Sequence, residues 1–361
     1  MEEIDAVIVG GGVTGLASAA AIAEGGASVC VLERHPRPGM DASTHNSGVI
    51  HAGIYYPPGS LKARLSVEGA RELYAFCARR GVPHARCGKL IVAVDRQEAE
   101  RLPDLEARAR ANGVEKLAIV DSGAIRRREP RAAGVAALLS PDTGVVEPEA
   151  LVLALGRACA NAGAHVLTGT SLIGADESSR GLIVRTERES ILCQTVVNAG
   201  GVFADHVSAM LGGESFAIHP CRGEYAELAP ARSGAVEALV YPLPDASGHG
   251  LGIHLTKTTR GRVLIGPTVR HQQSRHDYES GRMALEGFLA PARRLLPELE
   301  LKDLRLGGSG IRANLNPPDE PFADFLIRRD RLNPRIIHAA GISSPGLTAC
   351  LAIGRLVASL I

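Results

Sequence analysis

Three groups of residues in this 361-residue chain carry chemistry by type and spacing. The first is Gly10-x-Gly12-x-x-Gly15, followed by Glu33. Gly10 permits a tight turn, Gly12 lets backbone approach a pyrophosphate, and Gly15 lets helix and strand pack closely. Glu33 comes about 20 residues on, where an acid holds a ribose hydroxyl in dinucleotide sites. The plainer reading is a glycine-rich turn in an ordinary α/β unit. The second group is the segment from Asp41 to Gly59, DASTHNSGVIHAGIYYPPG, which holds two imidazoles, His45 and His51. Thr44, Asn46 and Ser47 add hydrogen-bonding groups suited to phosphates or a ring. Its plainer reading is a capped surface loop with solvated histidines. The third group lies far downstream: His254 in a short apolar run, and Arg312 in GSGIRAN. An imidazole titrates near neutrality and suits general-base work, although a strand histidine is by default structural. A guanidinium offers a planar fork for a carboxylate, either a ligand's or that of a structural acid.

These groups need a frame. Ile4 to Val9 reads as a buried strand, and the alanine-rich stretch from Gly12 to Gly25-Gly26 as a helix. That helix would point the N–H groups of its first residues, Val13 and Thr14, at a phosphate. Ser28 to Leu32 reads as a second strand ending at Glu33 and Arg34. Ser60 caps a helix to Arg80, Gly88 to Val94 is a strand, and Arg96 to Asn112 is helical, with Pro103 starting a second piece. Arg126, Arg127 and Arg128 read as solvated helix surface. Pro148 opens a helix to about Ala162, and strands follow at His165 to Thr168 and Gln194 to Asn198. The latter ends in Ala199-Gly200-Gly201, small enough for backbone to approach a ligand, and Asp205 and His206 read as cap and surface groups.

Between Ser215 and Thr268 the pattern turns strand-rich: Ala217 to Leu228, Leu239 to Leu243, Gly250 to Thr256 and Arg262 to Gly266. Short runs joined by turns predict an antiparallel sheet. A helix from Tyr278 to Leu296, a strand from Leu304 to Ala313 and a closing strand from Arg335 to Ala340 complete the pattern. Gly341, Pro345, Gly346, Leu347 and Thr348 open the last helix.

Charge is balanced, with 40 basic and 39 acidic residues, so no global field favours nucleic acid or an anionic membrane. Aromatic residues are 3% of the chain, which argues against base-stacking platforms. The seven cysteines form no C-x-x-C, which predicts buried free thiols in a reducing compartment and neither zinc nor disulfides. Met1-Glu2-Glu3 lacks the basic start of a signal peptide. The last apolar stretch is too short to span a bilayer. A cytoplasmic protein is expected.

The segment HNSGVIHAGIYYPPGSLKARL resembles the L-2-hydroxyglutarate dehydrogenase and oxidase group of the FAD-dependent D-amino-acid-oxidase-like superfamily. CGKLIVAVD, SPDTGVVEP, VVNAGGVFAD, CRGEYAEL, GLGIHLT, GIRAN and HAAGISSPGLTACLAIG extend the resemblance over nearly the whole chain. It implies an α/β fold: a Rossmann-like FAD-binding domain interleaved with an antiparallel-sheet substrate domain, of the glutathione-reductase and D-amino-acid-oxidase type. The expected division is 1–80, 141–212 and 308–361 for FAD, with 81–140 and 213–307 for substrate. The resemblance also implies FAD contacts beyond the first turn, at Arg34, at Thr44, His45, Asn46, Ser47 and Gly48, at Leu172, Ala199 and Gly200, at Gly310 and Arg312, and at Gly341, Pro345, Gly346, Leu347 and Thr348.

Only one Gly-x-Gly-x-x-Gly unit is present, so electrons are expected from a small carboxylate substrate rather than a second dinucleotide. The expected reaction is oxidation of an L-2-hydroxy acid to the 2-oxo acid, with the hydride passing to flavin N5. The resemblance assigns Arg312 to the substrate carboxylate. His51 or His254 takes the hydroxyl proton, and Tyr241, Tyr225 and Arg222 line the substrate. Alternatives are another 2-hydroxy acid, a D-amino acid or a secondary amine on the same fold, a nucleotide-binding protein without turnover, and an NAD-dependent dehydrogenase. Oxygen, a quinone or a carrier protein stay open as electron acceptor, as does a peripheral membrane contact.

Overall fold

The computed structural model describes residues 3–245 and 251–361. Met1, Glu2 and Gly250, on which part of the sequence reading rests, lie outside them. β1 (Glu3–Val9), α1 (Val13–Glu24) and β2 (Val29–Glu33) follow the apolar pattern. Ala6, Val7 and Ile8 are fully buried, as a strand covered on both faces requires. β1 runs parallel to β2 on one side and to Ser190–Asn198 on the other. The register pairs Val9 with Leu32 and with Asn198. The three strands therefore end level, and Gly10, Glu33 and Ala199 emerge side by side at the carboxyl edge.

This sheet has eight strands. His165–Thr168 extends it beyond β2, and Gly181–Thr186 and Leu172–Ser178 extend it at the other edge. Ile336–Ala340 joins Ser190–Asn198 in parallel, as the closing strand should, and Leu326–Arg329 adds antiparallel to it without having been expected. Helices cover one face. α1 crosses the last helix, Gly346–Ala358, so closely that a Cβ on Gly354 would sit 2.5 Å from the Ala17 carbonyl oxygen.

β3 (Val49–Ile50) leaves the loop after β2, and α2 (Leu61–Arg80) follows. The Ser60 hydroxyl accepts from the Ala63 N–H at 3.1 Å, satisfying one of the donors that a helix start leaves unpaired. β4 (His84–Ala85) and β3 flank Gly144–Val146 in a small antiparallel sheet. β5 (Lys89–Ala93) then enters the second large sheet, of nine strands. Its path is Arg270–His271, His219–Leu228, Val263–Gly266, His254–Lys257, Leu239–Pro242, β5, Ala136–Ser140 and Ala118–Asp121, with Leu304–Asn314 on the far side of His219–Leu228. All pairings are antiparallel except that of β5 with Leu239–Pro242. The boundary expected at 308 cuts through Leu304–Asn314, which pairs wholly with His219–Leu228.

The helix expected over Tyr278 to Leu296 is confined to Leu285–Arg293. The Asp277 carboxylate accepts from the N–H groups of Glu279 and Ser280, at 3.1 and 2.8 Å, and Gly281 has a φ of +58°. A left-handed residue there ends any helix, and the carbonyls of Asp277, Tyr278 and Ser280 accept from Arg222 and the Ser309 hydroxyl rather than from N–H groups four residues on. Arg126, Arg127 and Arg128 are exposed on the helix Ser122–Arg128, as expected. Among the described residues no helix is long and apolar enough to cross a membrane.

Candidate active site

A cavity of about 1470 Å³ runs from the Gly10 turn, along the carboxyl edge of the first sheet, to the inner face of the second. At its nucleotide end Gly10 has a φ of +113°, and a Cβ there would lie 2.4 Å from the Ala199 carbonyl oxygen. A Cβ on Gly15 would lie 1.9 Å from the Gly10 carbonyl oxygen, so Gly15 serves packing rather than the cavity wall. Gly12 caps α1 without a side chain, and Val13 and Thr14 begin the helix at the wall. Glu33 is buried at this end. Its two oxygens accept from the N–H groups of Gly11 and His35, each at 2.8 Å, and each keeps a further lone pair. Arg34 pairs with Asp41 at 2.7 Å and lies 4.0 Å over the Phe203 ring.

Asn198 fixes the neighbouring turn. Its amide donates to the Ala204 carbonyl and to Nδ1 of His338, and its oxygen accepts from the Gly200 N–H. His338 Nε2 then donates to Asp330 at 2.7 Å. Asp330 also accepts from the N–H groups of Glu214, Leu332 and Asn333, and Glu214 pairs with Arg328. The network is saturated and holds the sheet edge level. Asp205, expected as a helix cap, instead forms a two-pronged pair with Arg275 and accepts from the Ile218 N–H. His206 is exposed, as expected, at the rim of the cavity.

Most of the residues expected at the cofactor face the cavity. His45, Asn46 and Ser47 line the cavity, as do Leu172, Ala199, Gly200, Gly310, Pro345, Gly346 and Leu347. Thr44 does not: its hydroxyl donates to the Gly39 carbonyl at 2.7 Å and is spent inside the loop. Gly48, Gly341 and Thr348 also stand behind the wall. Gly48 and Gly341 hold backbone with φ of +67° and +65°. The Thr348 hydroxyl accepts from the His51 N–H at 3.0 Å and so fixes that residue from behind. The Gly310 strand passes the loop so closely that a Cβ would lie 1.9 Å from the His45 carbonyl oxygen.

At the other end the cavity gathers His51, His254, Tyr225, Tyr241 and Arg312 from five separate stretches of chain. His254 Nδ1 lies 2.9 Å from the Gly252 carbonyl oxygen, which can only accept. The hydrogen therefore sits on Nδ1 of the neutral ring, and Nε2 is left as an acceptor. The ring stacks on Tyr241, with centroids 3.7 Å apart. His51 Nε2 lies 3.3 Å from the hydroxyl of exposed Ser344, and its Nδ1 is buried with no partner among the described residues. Burial first, then Lys89 and His254, pushes the His51 imidazole down to about 3. Burial also pushes His254 down to about 3, with Lys89 and Arg312 adding to it and the Gly252 carbonyl opposing. Both rings are neutral at pH 7, below the near-neutral poise expected of a base.

Arg312 has no carboxylate within ion-pairing distance among the described residues. Its contacts are long: 3.4 and 3.5 Å to the Thr268 carbonyl and 3.7 Å to Cys221 Sγ. Gly223 makes room for the guanidinium, since a Cβ there would be 2.7 Å from Nη2. Arg222 corrects the expectation of a substrate contact. It is 1% exposed, pairs with Glu224 at 2.9 Å, and donates to the carbonyls of Asp277 and Ser280. Alternate residues of a strand face opposite sides, so Arg222 leaves the cavity wall that Cys221 and Gly223 join. The sequence reading missed Lys89, buried behind Tyr241; a single lysine opening an otherwise apolar strand was its signal.

A dinucleotide fits this arrangement. The glycine cradle would be filled by any Cβ, the acid stands at the ribose position, and an unpartnered buried imidazole nitrogen lies at the reaction end. The sequence model of the family described as FAD dependent oxidoreductase matches residues 5–360. L-2-hydroxyglutarate dehydrogenase of Escherichia coli (strain K12) is 32% identical, over 98% of this chain and 92% of that protein. The mitochondrial L-2-hydroxyglutarate dehydrogenase of Homo sapiens is 33% identical, over 98% of this chain and 88% of that protein. The dithionite-reduced, FAD-bound L-alpha-glycerophosphate oxidase of Mycoplasma pneumoniae superposes with a TM-score of 0.91 at 26% identity, over 100% of this chain and 95% of that one.

Proposed function

The chain belongs to the FAD-dependent oxidoreductase family, and from that premise we propose that it oxidises L-2-hydroxyglutarate to the 2-oxo acid. The observation that carries the reading is Arg312: a guanidinium without an acid partner among the described residues, sharing a cavity with two neutral imidazoles. An α-carboxylate supplies the missing counter-charge, and a hydroxyl beside it supplies the proton the imidazoles accept. Bound FAD supplies the two-electron acceptor. Gly10 to Thr14, Glu33, Ala199, Gly200 and the start of the last helix would hold it.

Arg312 receives the C1 carboxylate through its two Nη atoms and so orients C2. His51 takes the hydroxyl proton, because its Nε2 already contacts the hydroxyl of exposed Ser344 and so leads to solvent. A bound carboxylate raises the affinity of a nearby imidazole for that proton, against the burial that lowers it. His254, with Nε2 as acceptor and Tyr241 beneath its ring, is the second candidate. Tyr225 and Thr268 bound the substrate space beside Arg312.

We assign the first sheet and its helices to the FAD domain and the nine-stranded sheet, including Leu304–Asn314, to the substrate domain. A reducing, cytoplasmic setting fits the seven free cysteines. The test is anaerobic mixing of purified holoenzyme with L-2-hydroxyglutarate, its D isomer and an amino-acid panel. Bleaching of the flavin band by the L isomer is expected. Bleaching by an amino acid alone would overturn the substrate.

A further inference from the structure

Lys89 opens β5, and the residues after it, Leu90 to Ala93, are apolar and buried. Lys89 is itself 1% exposed. Buried lysines are normally paired, yet among the described residues no carboxylate lies within ion-pairing distance of this one. Its Nζ donates to the Tyr55 hydroxyl at 3.1 Å. It lies 4.5 Å from the Tyr55 ring centroid and 4.8 Å from that of Tyr241. Tyr241 carries the His254 ring stacked upon it. Tyr241 and His254 both line the cavity, and Lys89 does not, so the amine stands one ring back from it.

We propose that Lys89 is an electrostatic positioning residue of the reaction centre: its ammonium, set behind Tyr241, draws an anionic substrate toward Arg312 and leaves His51 and His254 free to accept a proton. The inference rests on the hydroxy-acid reading of this site. The groups that face Lys89 come from every element around it. Tyr55 comes from the segment after β3, Tyr241 from Leu239–Pro242, His254 from His254–Lys257 and His51 from the end of β3; Arg312 faces His254 in turn. The Ser140 hydroxyl, on the strand opposite, is engaged with Thr143. None of these groups is anionic at neutral pH, so a dicarboxylate is the counter-charge the wall lacks. Burial pushes the Lys89 ammonium down to about 7, and a bound dianion favours its charged form again.

The experiment is the pH profile of kcat/KM for L-2-hydroxyglutarate with wild-type holoenzyme, Lys89→Arg and Lys89→Met. The wild type should lose activity on the alkaline side as Lys89 loses its proton. Arginine keeps its charge there, so Lys89→Arg should hold its rate at high pH. Lys89→Met should lower kcat/KM about tenfold at pH 7, chiefly through KM, and move its acid limb upward, since no cation then opposes protonation of the imidazoles. Three profiles with the same limbs, whatever their heights, would overturn the proposal. Should the variants fail to retain flavin, calorimetry of glutarate binding to wild-type holoenzyme at pH 8 decides. Proton uptake, seen as heats that depend on buffer ionisation enthalpy, is expected, and heats independent of buffer overturn it. A wild-type flavin that no hydroxy acid bleaches is a failure of the function reading instead, and the glutarate measurement still judges Lys89.

Discussion

Among the described residues the Arg312 guanidinium has only a carbonyl and a thiol as hydrogen-bond partners, at 3.4 Å and beyond. Arg312→Ala should therefore cost substrate binding and little folding stability. A charge-assisted contact is worth about 1.5–3 kcal/mol, so kcat/KM should fall roughly 10- to 100-fold, mostly through KM. Steady-state kinetics check it, and an unchanged KM removes Arg312 from the role. The histidines make a second prediction. Both are held at about 3, against 6.5 for an ordinary histidine, so the unfolded chain binds more protons between those values. Their neutral burial is thus fully tolerated above about pH 6.5, and stability drains as pH falls through that window. His254→Asn should flatten part of the acid loss in thermal melts from pH 8 to pH 4; equal slopes would contradict it. At this scale the place of Arg312 on the cavity wall was legible from the GSGIRAN segment, whose resemblance supplied its role as an expectation. Arg222 was not, because the carbonyls that occupy it arrive from Asp277 and Ser280 in a distant loop.

The turn from β1 into α1 tolerates nothing larger than hydrogen at Gly15, where a Cβ would meet the Gly10 carbonyl oxygen at 1.9 Å. Gly15→Ala should push helix and strand apart and yield protein that purifies with little flavin, as its visible spectrum would report; full retention would exclude the packing argument. Ser60 offers a milder change. Ser60→Ala removes the cap from α2 and should lower stability by about 1 kcal/mol in a denaturant melt, with bound flavin unaffected. Elements governed by such local rules were readable in advance: β1, α1, β2, α2 and the cap itself. The helix expected from Tyr278 was not, because Arg222 and Ser309, far away in sequence, take the carbonyls of Asp277, Tyr278 and Ser280 that a helix would use. Nor was Leu326–Arg329, whose strand form depends on an edge offered by Ile336–Ala340.

The two large sheets meet over the cavity, and a few side chains tie them. Arg275, from the segment after the Arg270–His271 strand, grips Asp205 beside the first sheet at 2.6 and 2.8 Å and donates to the Val202 carbonyl. The Tyr278 ring lies against His45, tilted by 39° with centroids 4.9 Å apart. Arg275→Ala leaves a half-buried carboxylate without its cation, at a cost of about 1–3 kcal/mol. Weaker FAD retention in dilution and dialysis should follow, while the substrate KM of the flavin-loaded fraction stays near wild type; unaltered retention would show that the tie carries no load. The interleaving of the sheets was expected from where the nucleotide-like segments recur, but these ties were not, since each joins residues far apart in sequence. One further consequence concerns synthesis. β1 is made well before its neighbour Ser190–Asn198 and the helix Gly346–Ala358 leave the ribosome. The nascent chain must therefore carry an unfinished edge through most of translation, exposed to chaperones or to misassociation, and flavin capture comes only once the late segments have closed around the opening turn.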